Sequence, residues 1–319
     1  MRTFKDKTAF ATLLGQNRAV LLDGGLATEL EEQGHDIAGV LWSAMLLHTN
    51  PRAIVAAHRA YLDAGAEIVI SASYQASRAG FHQLGISADD ADTLIASSVS
   101  LARQACEEFQ RDNADTAKPR LVAASVGPYG AVLMDGSEYT GAYGVSRSVL
   151  RDFHEQRLVL LDRTDADVLA CETIPSLEEA AVLAELLTDV RTPAWISFAC
   201  RDKKRISDGT PIADAVALFR EHPTVLAVGV NCTPPQYVEP LIGSIAAAAP
   251  GTAILAYPNS GERYEASDGT WSGVVAEIDF AAAALDWLEA GATLVGGCCR
   301  VGPTHIATIA ESRQPTKSS

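Results

Sequence analysis

The sequence predicts an α/β fold, a single (β/α)₈ TIM barrel over residues 1–319, with its core between about residues 19 and 306. Two observations carry this. Short, continuous apolar runs alternate with helix-compatible stretches, as expected of parallel strands buried on both faces. Eight such runs occur in a chain that no Pro/Gly/Ser-rich linker or close internal repeat divides, and eight strands close a barrel.

The first run is Ala19–Leu22, followed by Asp23-Gly24. The helical stretch Pro51–Ala64 leads to Ile68–Ile70, with Ser71 and Ser73 beyond it. Asp89–Arg111 leads to Leu121–Ala124 and then Ser125-Val126-Gly127-Pro128. Ser148–Thr164 leads to Val168–Ala170 and Cys171-Glu172-Thr173, and Leu177–Thr188 leads to Ala194–Phe198. Ile212–Arg220 precedes Leu226–Val230 with Asn231-Cys232, and Tyr237–Ala248 precedes Ala253–Ala256 with Tyr257-Pro258-Asn259. Phe280–Ala290 precedes Thr293–Val295, which ends on Gly296-Gly297-Cys298-Cys299. A doubly wound open sheet is the competing architecture. It favours a Gly-x-Gly-x-x-Gly turn after the first strand, and Asp23-Gly24-Gly25-Leu26-Ala27-Thr28 lacks that spacing.

Composition narrows the function. The chain of 319 residues is 48% hydrophobic and 20% charged, long enough to bury a core without staples, so a metal site would serve function rather than folding. A net charge of −15 argues against nucleic-acid or anionic-membrane partners, which need basic patches. No apolar run reaches spanning length, and Met1–Asn17 lacks the apolar core of a signal peptide. Six cysteines do not form a disulfide framework in a chain of this size, and a reducing cytoplasm is expected.

Barrel enzymes build their chemistry just past the C-terminal ends of the strands. Those positions hold Cys232 after the sixth run and Cys298 and Cys299 after the eighth. Three thiolates with one open position are the donor set of a catalytic zinc site, and soft sulfur suits zinc over magnesium or calcium. Gly296 and Gly297 would let the backbone turn and bring both thiols to one ion. The competing account is buried cysteines packing as small hydrophobes. Cys106, Cys171 and Cys200 are read that way, on a helix surface or in strand interiors and edges.

Glu172 follows a buried strand, where an unpaired carboxylate is costly. It would hold a substrate ammonium, or else pair with an arginine. Asp23 reads the same way more weakly, since Asp-Gly also makes simple turns. None of the seven histidines forms a metal-binding motif. Two further readings compete: Gly296-Gly297 as a phosphate cradle, which leaves the three cysteines idle, and a zinc store or thiol redox sensor, which leaves Glu172 and Asp23 idle.

The chain resembles the homocysteine S-methyltransferase family, in particular its sulfonium-using branch. The matching motifs are Leu22–Leu30, Leu41–Ala44, Ser71–Ala76, Ser125–Gly130, Asp135–Tyr139, Cys171–Thr173, Ser207–Thr210, Gly229–Cys232, Tyr257–Glu262 and Gly296–Arg300, in order along nearly the whole chain. The resemblance implies zinc on Cys232, Cys298 and Cys299, with the L-homocysteine thiol at the open position. It implies Glu172, Asp23 and backbone near Gly24 around the amino group, Ser71 near the carboxylate, and Asn231 among the substrate-binding residues. It also implies a small methyl-sulfonium donor, S-methylmethionine or S-adenosylmethionine. Relatives using betaine carry a Tyr where this chain has Gln75. The loop Tyr129–Tyr143 is expected to contact the donor.

Overall fold

The computed structural model describes residues 8–16, 18–37, 41–114, 119–261, 263–265, 270–272 and 279–313. Met1–Lys7 and Asn17 of the N-terminal segment, and Glu262 of the Tyr257–Glu262 motif, lie outside the described residues.

Ten strands occur among them: β1 (Val20–Leu21), β2 (Ile68–Ile70), β3 (Leu121–Val126), β4 (Val168–Ile174), β5 (Ala194–Phe198), β6 (Val225–Asn231), β7 (Ala253–Tyr257), β8 (Arg263–Glu265), β9 (Thr270–Ser272) and β10 (Leu294–Val295). Eight of them form one parallel sheet in the order β1-β10-β7-β6-β5-β4-β3-β2. A parallel bridge between Leu22 and Ile68 joins its two ends. Bonds from Glu67 N to Leu21 O (2.7 Å) and from Asp23 N to Ile68 O (3.1 Å) flank that bridge. The sheet therefore closes on itself, which excludes the open alternative. Every predicted run supplies a barrel strand. The antiparallel β8–β9 pair, not foreseen, sits in the connection after β7.

Two apolar clusters explain why the runs are continuous. Val20, Ile68, Leu121, Ala123, Val168, Ala170, Trp195, Ala227, Leu255 and Leu294 fill the barrel interior. Their neighbours Leu21, Val69, Val122, Leu169, Ile196, Val228, Ile254 and Val295 face the surrounding helices. Alternate residues point to opposite faces, and both faces are buried. Phe10 and Leu13, from a short helix at Ala9–Leu14, are fully buried in the inner cluster, with the Phe10 ring 5.9 Å from that of Trp195.

Several strands run further than the apolar pattern. β3 continues through Ser125, β4 through Glu172 and Thr173, and β6 through Asn231. These residues lie within strands rather than past them. By the same parity, Ser125, Glu172, Ser197, Asn231 and Tyr257 all turn inward, forming a polar layer above Trp195. Among the described residues no helix is long and apolar enough to cross a membrane.

β6 and β7 press together at Gly229, where a Cβ would stand 1.9 Å from the Leu255 carbonyl oxygen. Backbone cannot yield there as a side-chain tip could. Gly229→Ala should cost about 3 kcal/mol, read from urea unfolding; an unchanged midpoint would show that the strands separate freely.

Candidate metal centre and substrate cleft

The three cysteines converge. The sulfur atoms of Cys232, Cys298 and Cys299 all lie within 4.8 Å of one another. Cys299 Sγ stands 3.6 Å from Cys232 Sγ and 4.0 Å from Cys298 Sγ. Cys232 and Cys298 are joined as a disulfide, with Cα atoms 5.5 Å apart. One pair beside four free cysteines is not a disulfide framework, in keeping with the sequence expectation. Thiols brought to one point can bond each other or share a cation, and both outcomes need the same convergence. Burial pushes the Cys299 thiol up to about 12, so it needs a cation beside it to reach the thiolate form near neutrality. A soft, three-sulfur donor set on the cleft wall fits a metal ion.

The convergence is built from loop contacts. A Cβ on Gly24 would stand 2.2 Å from Val301 O, and one on Gly25 2.7 Å from Cys298 O. A Cβ on Gly296 would stand 2.8 Å from Asp23 O, and one on Gly297 2.1 Å from Val301 Cγ1. Neither Gly296 nor Gly297 has a positive φ. Gly296 is required for close approach to the first loop, and Gly297 where the last loop folds back on its own Val301. Hydrogen bonds from Gly297 N to Asp23 O (3.0 Å) and from Gly25 N to Val301 O (3.0 Å) fasten the seam. Thr173 (φ 61), Cys232 (φ 44) and Arg300 (φ 65) hold left-handed backbone at this rim. Such strain persists only where the surroundings enforce it.

Glu172 is buried, 6% exposed, and ends in a hydrogen-bond network instead of an arginine pair. Ser125 Oγ donates to its Oε1, and Tyr257 OH lies 3.2 Å from its Oε2. Tyr257 OH also takes the Trp195 Nε1 proton (3.2 Å) and meets Ser197 Oγ at 2.6 Å. Ser197 Oγ in turn lies 2.8 Å from Asn231 Oδ1. Each hydroxyl has one proton, so the chain has two orderings. If Ser197 donates to Asn231, Tyr257 donates to Ser197, and Glu172 must itself be protonated to reach Tyr257. If Ser197 donates to Tyr257, Tyr257 is free to donate to an anionic Glu172. Burial pushes the Glu172 carboxyl up to about 7, so both orderings are accessible near neutrality.

Asp23 Oδ2 accepts from Ile70 N at 2.7 Å, whereas its buried Oδ1 has no hydrogen-bond partner among the described residues. Burial, reinforced by the Glu172 charge, raises its carboxyl well above the usual range. Gly24, Ser71, Glu172 and the three cysteines line a cleft of about 830 Å³. Ser71 Oγ is 2.9 Å from Ser73 Oγ and accepts from Ser125 N at 3.2 Å.

Asn231 is placed differently from the expectation: it stands behind the cleft wall, fully buried. Its Oδ1 accepts from Thr173 N and its Nδ2 donates to Thr173 Oγ1, both at 2.7 Å, with Nδ2 3.9 Å from Cys298 Sγ. Its amide holds the strained Thr173 in place. Cys106 is likewise buried on its helix, not on a helix surface. Sequence reasoning singled out neither Tyr74 nor Glu138, which also line the cleft, and assigned Gln75, a third lining residue, no site role. Tyr74 was marked only by membership of a matched motif; Glu138 also lies in the Tyr129–Tyr143 loop expected to contact the donor, although nothing in local spacing aims it at cysteines far along the chain.

The chain matches the sequence model of the homocysteine S-methyltransferase family over residues 20–313. It is 44% identical to homocysteine S-methyltransferase YbgG of Bacillus subtilis, covering 94% of this chain and 96% of that protein. It is 43% identical to a selenocysteine Se-methyltransferase of Brassica oleracea, covering 91% and 87%. The metallated form of the Escherichia coli homocysteine methyltransferase MmuM superposes with a TM-score of 0.85 at 41% identity, over 95% of this chain and 99% of that one.

The raised Glu172 value sets a pH signature for stability. Between the usual 4.5 and about 7 the folded protein keeps a proton that the unfolded chain releases. Stability from this carboxyl is therefore complete below the lower value and declines as pH rises through the upper one. Thermal unfolding of Glu172→Gln should show a higher melting temperature than the parent at pH 8 and no advantage at pH 4. An equal shift at both pH values would contradict the assignment.

Proposed function

The chain belongs to the homocysteine S-methyltransferase family, and we propose that it makes methionine by moving a methyl group from a sulfonium compound to the sulfur of L-homocysteine. The observation that carries this reading is the convergence of three thiols on a cleft that also holds a buried, hydrogen-bonded carboxylate. Cys232, Cys298 and Cys299 would hold zinc. When bound, the ion supplies the Lewis acidity that keeps a substrate thiol, ordinarily near pKa 8.5, in its thiolate form.

The remaining work falls to the chain. Glu172, with the unpartnered Oδ1 of Asp23, offers acceptors for the homocysteine ammonium. Backbone at Gly24 and the Ser71 hydroxyl border the same end of the cleft. The thiolate sulfur attacks the methyl carbon in line, forming one S–C bond. The bond from carbon to the donor sulfur breaks, and its electron pair leaves the donor as a neutral thioether. No general acid is needed, because the donor's positive charge already activates it. Alignment at about 3–3.5 Å is the enzyme's main contribution.

S-methylmethionine is the first-choice donor and S-adenosylmethionine the second. Gln75 lines the cleft, donating to Ala131 O at 3.1 Å, where betaine-using relatives carry a Tyr. The likeness to a selenocysteine Se-methyltransferase supports a second acceptor, the selenol of selenocysteine. Selenium is a softer version of the same nucleophile, so the same machinery serves it.

Zinc content and methionine formation should be measured together on reduced, zinc-loaded protein with each donor. Cys298→Ser should lose both while keeping its far-ultraviolet circular dichroism. A zinc-loaded parent that forms no methionine from either sulfonium would end this reading.

A further inference from the structure

We propose that Glu138 is the residue that recognises the positive charge of the methyl donor. This rests on the sulfonium reading above and deepens it. Glu138 lies on a short helical turn, Ser137–Tyr139, in the connection after β3. Its side chain lines the cleft beside Tyr74, Tyr139 and the cysteines. It is only 5% exposed, and its Oε2 has no hydrogen-bond partner among the described residues. A buried carboxylate oxygen without a partner is costly, unless a ligand supplies one.

Charge accounting says what that ligand is. Among the described residues lining the cleft there is no Lys, Arg or His, whereas Glu138 and Glu172 both contribute carboxylates. One cation, the homocysteine ammonium, matches Glu172 and Asp23. A second carboxylate on the same cleft calls for a second cationic ligand, and the sulfonium donor is the reactant that carries one. Tyr139, half-buried, and Tyr74 line the same cleft, and aromatic residues there suit a cation of low hydration.

The turn that bears Glu138 is also fixed in advance. Glu179, fully buried on the helix Leu177–Leu186, accepts from Tyr129 N (2.6 Å) and Tyr143 OH (2.8 Å), and meets His154 Nε2 at 2.8 Å. Both ends of the connection are thereby pinned to one carboxylate. Gly130 backs the turn so closely that a Cβ would stand 2.4 Å from Glu138 N. A carboxylate held this way needs little reorganisation to meet a ligand.

The test is steady-state kinetics of zinc-loaded Glu138→Gln with homocysteine and S-methylmethionine varied independently. The expected result is a KM for S-methylmethionine raised about tenfold or more, with the KM for homocysteine within about twofold and zinc content unchanged. Glu138→Asp, which keeps the charge, should recover part of the donor KM, and it stands in if the Gln variant does not fold. An unchanged donor KM, or a rise in the homocysteine KM instead, would overturn the proposal. A parent enzyme inactive with both sulfonium donors would instead fail the reaction assignment, so the two failures are distinguishable.

Discussion

The site depends on the seam where the first and last barrel loops meet backbone to backbone. Gly24 and Gly25 lie against the carbonyls of Val301 and Cys298, while Gly296 and Gly297 lie against Asp23 and Val301. Tyr61, fully buried, ties the same seam by donating towards Gly25 O (2.8 Å) and Val301 O (3.0 Å). A methyl group at Gly24, Gly25 or Gly296 would push the two loops apart, and one at Gly297 would open the last loop against its own Val301. The adjacent thiols of Cys298 and Cys299 would then no longer meet Cys232, which comes from the end of a different strand, β6. Four residues without Cβ thus set the position of three sulfurs.

Electrostatics around that seam point one way. Asp23, Glu138 and Glu172 each sit in surroundings that disfavour their charged form, chiefly through burial. Keeping such groups costs stability that an apolar layer would not. Cationic ligands reverse the balance, since a charge pair in a low-dielectric cleft is worth far more than one in water. No basic residue among the described lining residues competes for these carboxylates.

The two ends of the barrel divide the work. At the N-terminal end Phe10 and Leu13 close the interior, and Glu67 pairs with Arg18 (2.6 Å) and Arg313 (3.2 Å). These contacts hold the chain together and contribute no chemistry. At the other end the inner layer changes from Trp195 and Leu255 to Ser125, Glu172, Ser197, Asn231 and Tyr257. Arg157, fully surrounded, donates to Gly127 O (2.8 Å), Ser73 O (2.9 Å) and Tyr74 O (2.9 Å), fixing two rim loops with one side chain. Strained backbone at Thr173, Cys232 and Arg300 lies at this end of the barrel.

The eight continuous apolar runs fixed the barrel because only strands buried on both faces need them, and Cys232 with the cysteine pair after the last run pointed to the cluster of three sulfurs because strand ends of a barrel meet on one rim. The burial of Glu172 and Asp23 was legible too, since each follows an apolar strand. What local pattern could not decide was depth and direction. Ser125, Glu172 and Asn231 proved to lie inside strands, since polar residues interrupt an apolar pattern without ending a hydrogen-bonded ladder. Asn231, inside the barrel, holds Thr173, 58 residues away in sequence, and Glu138 shares the cleft wall with Cys298 and Cys299, placements that local pattern does not contain. Strand positions follow from hydrophobic period, a local property. Which oxygen remains unpaired inside a cleft follows only from how distant segments close around it.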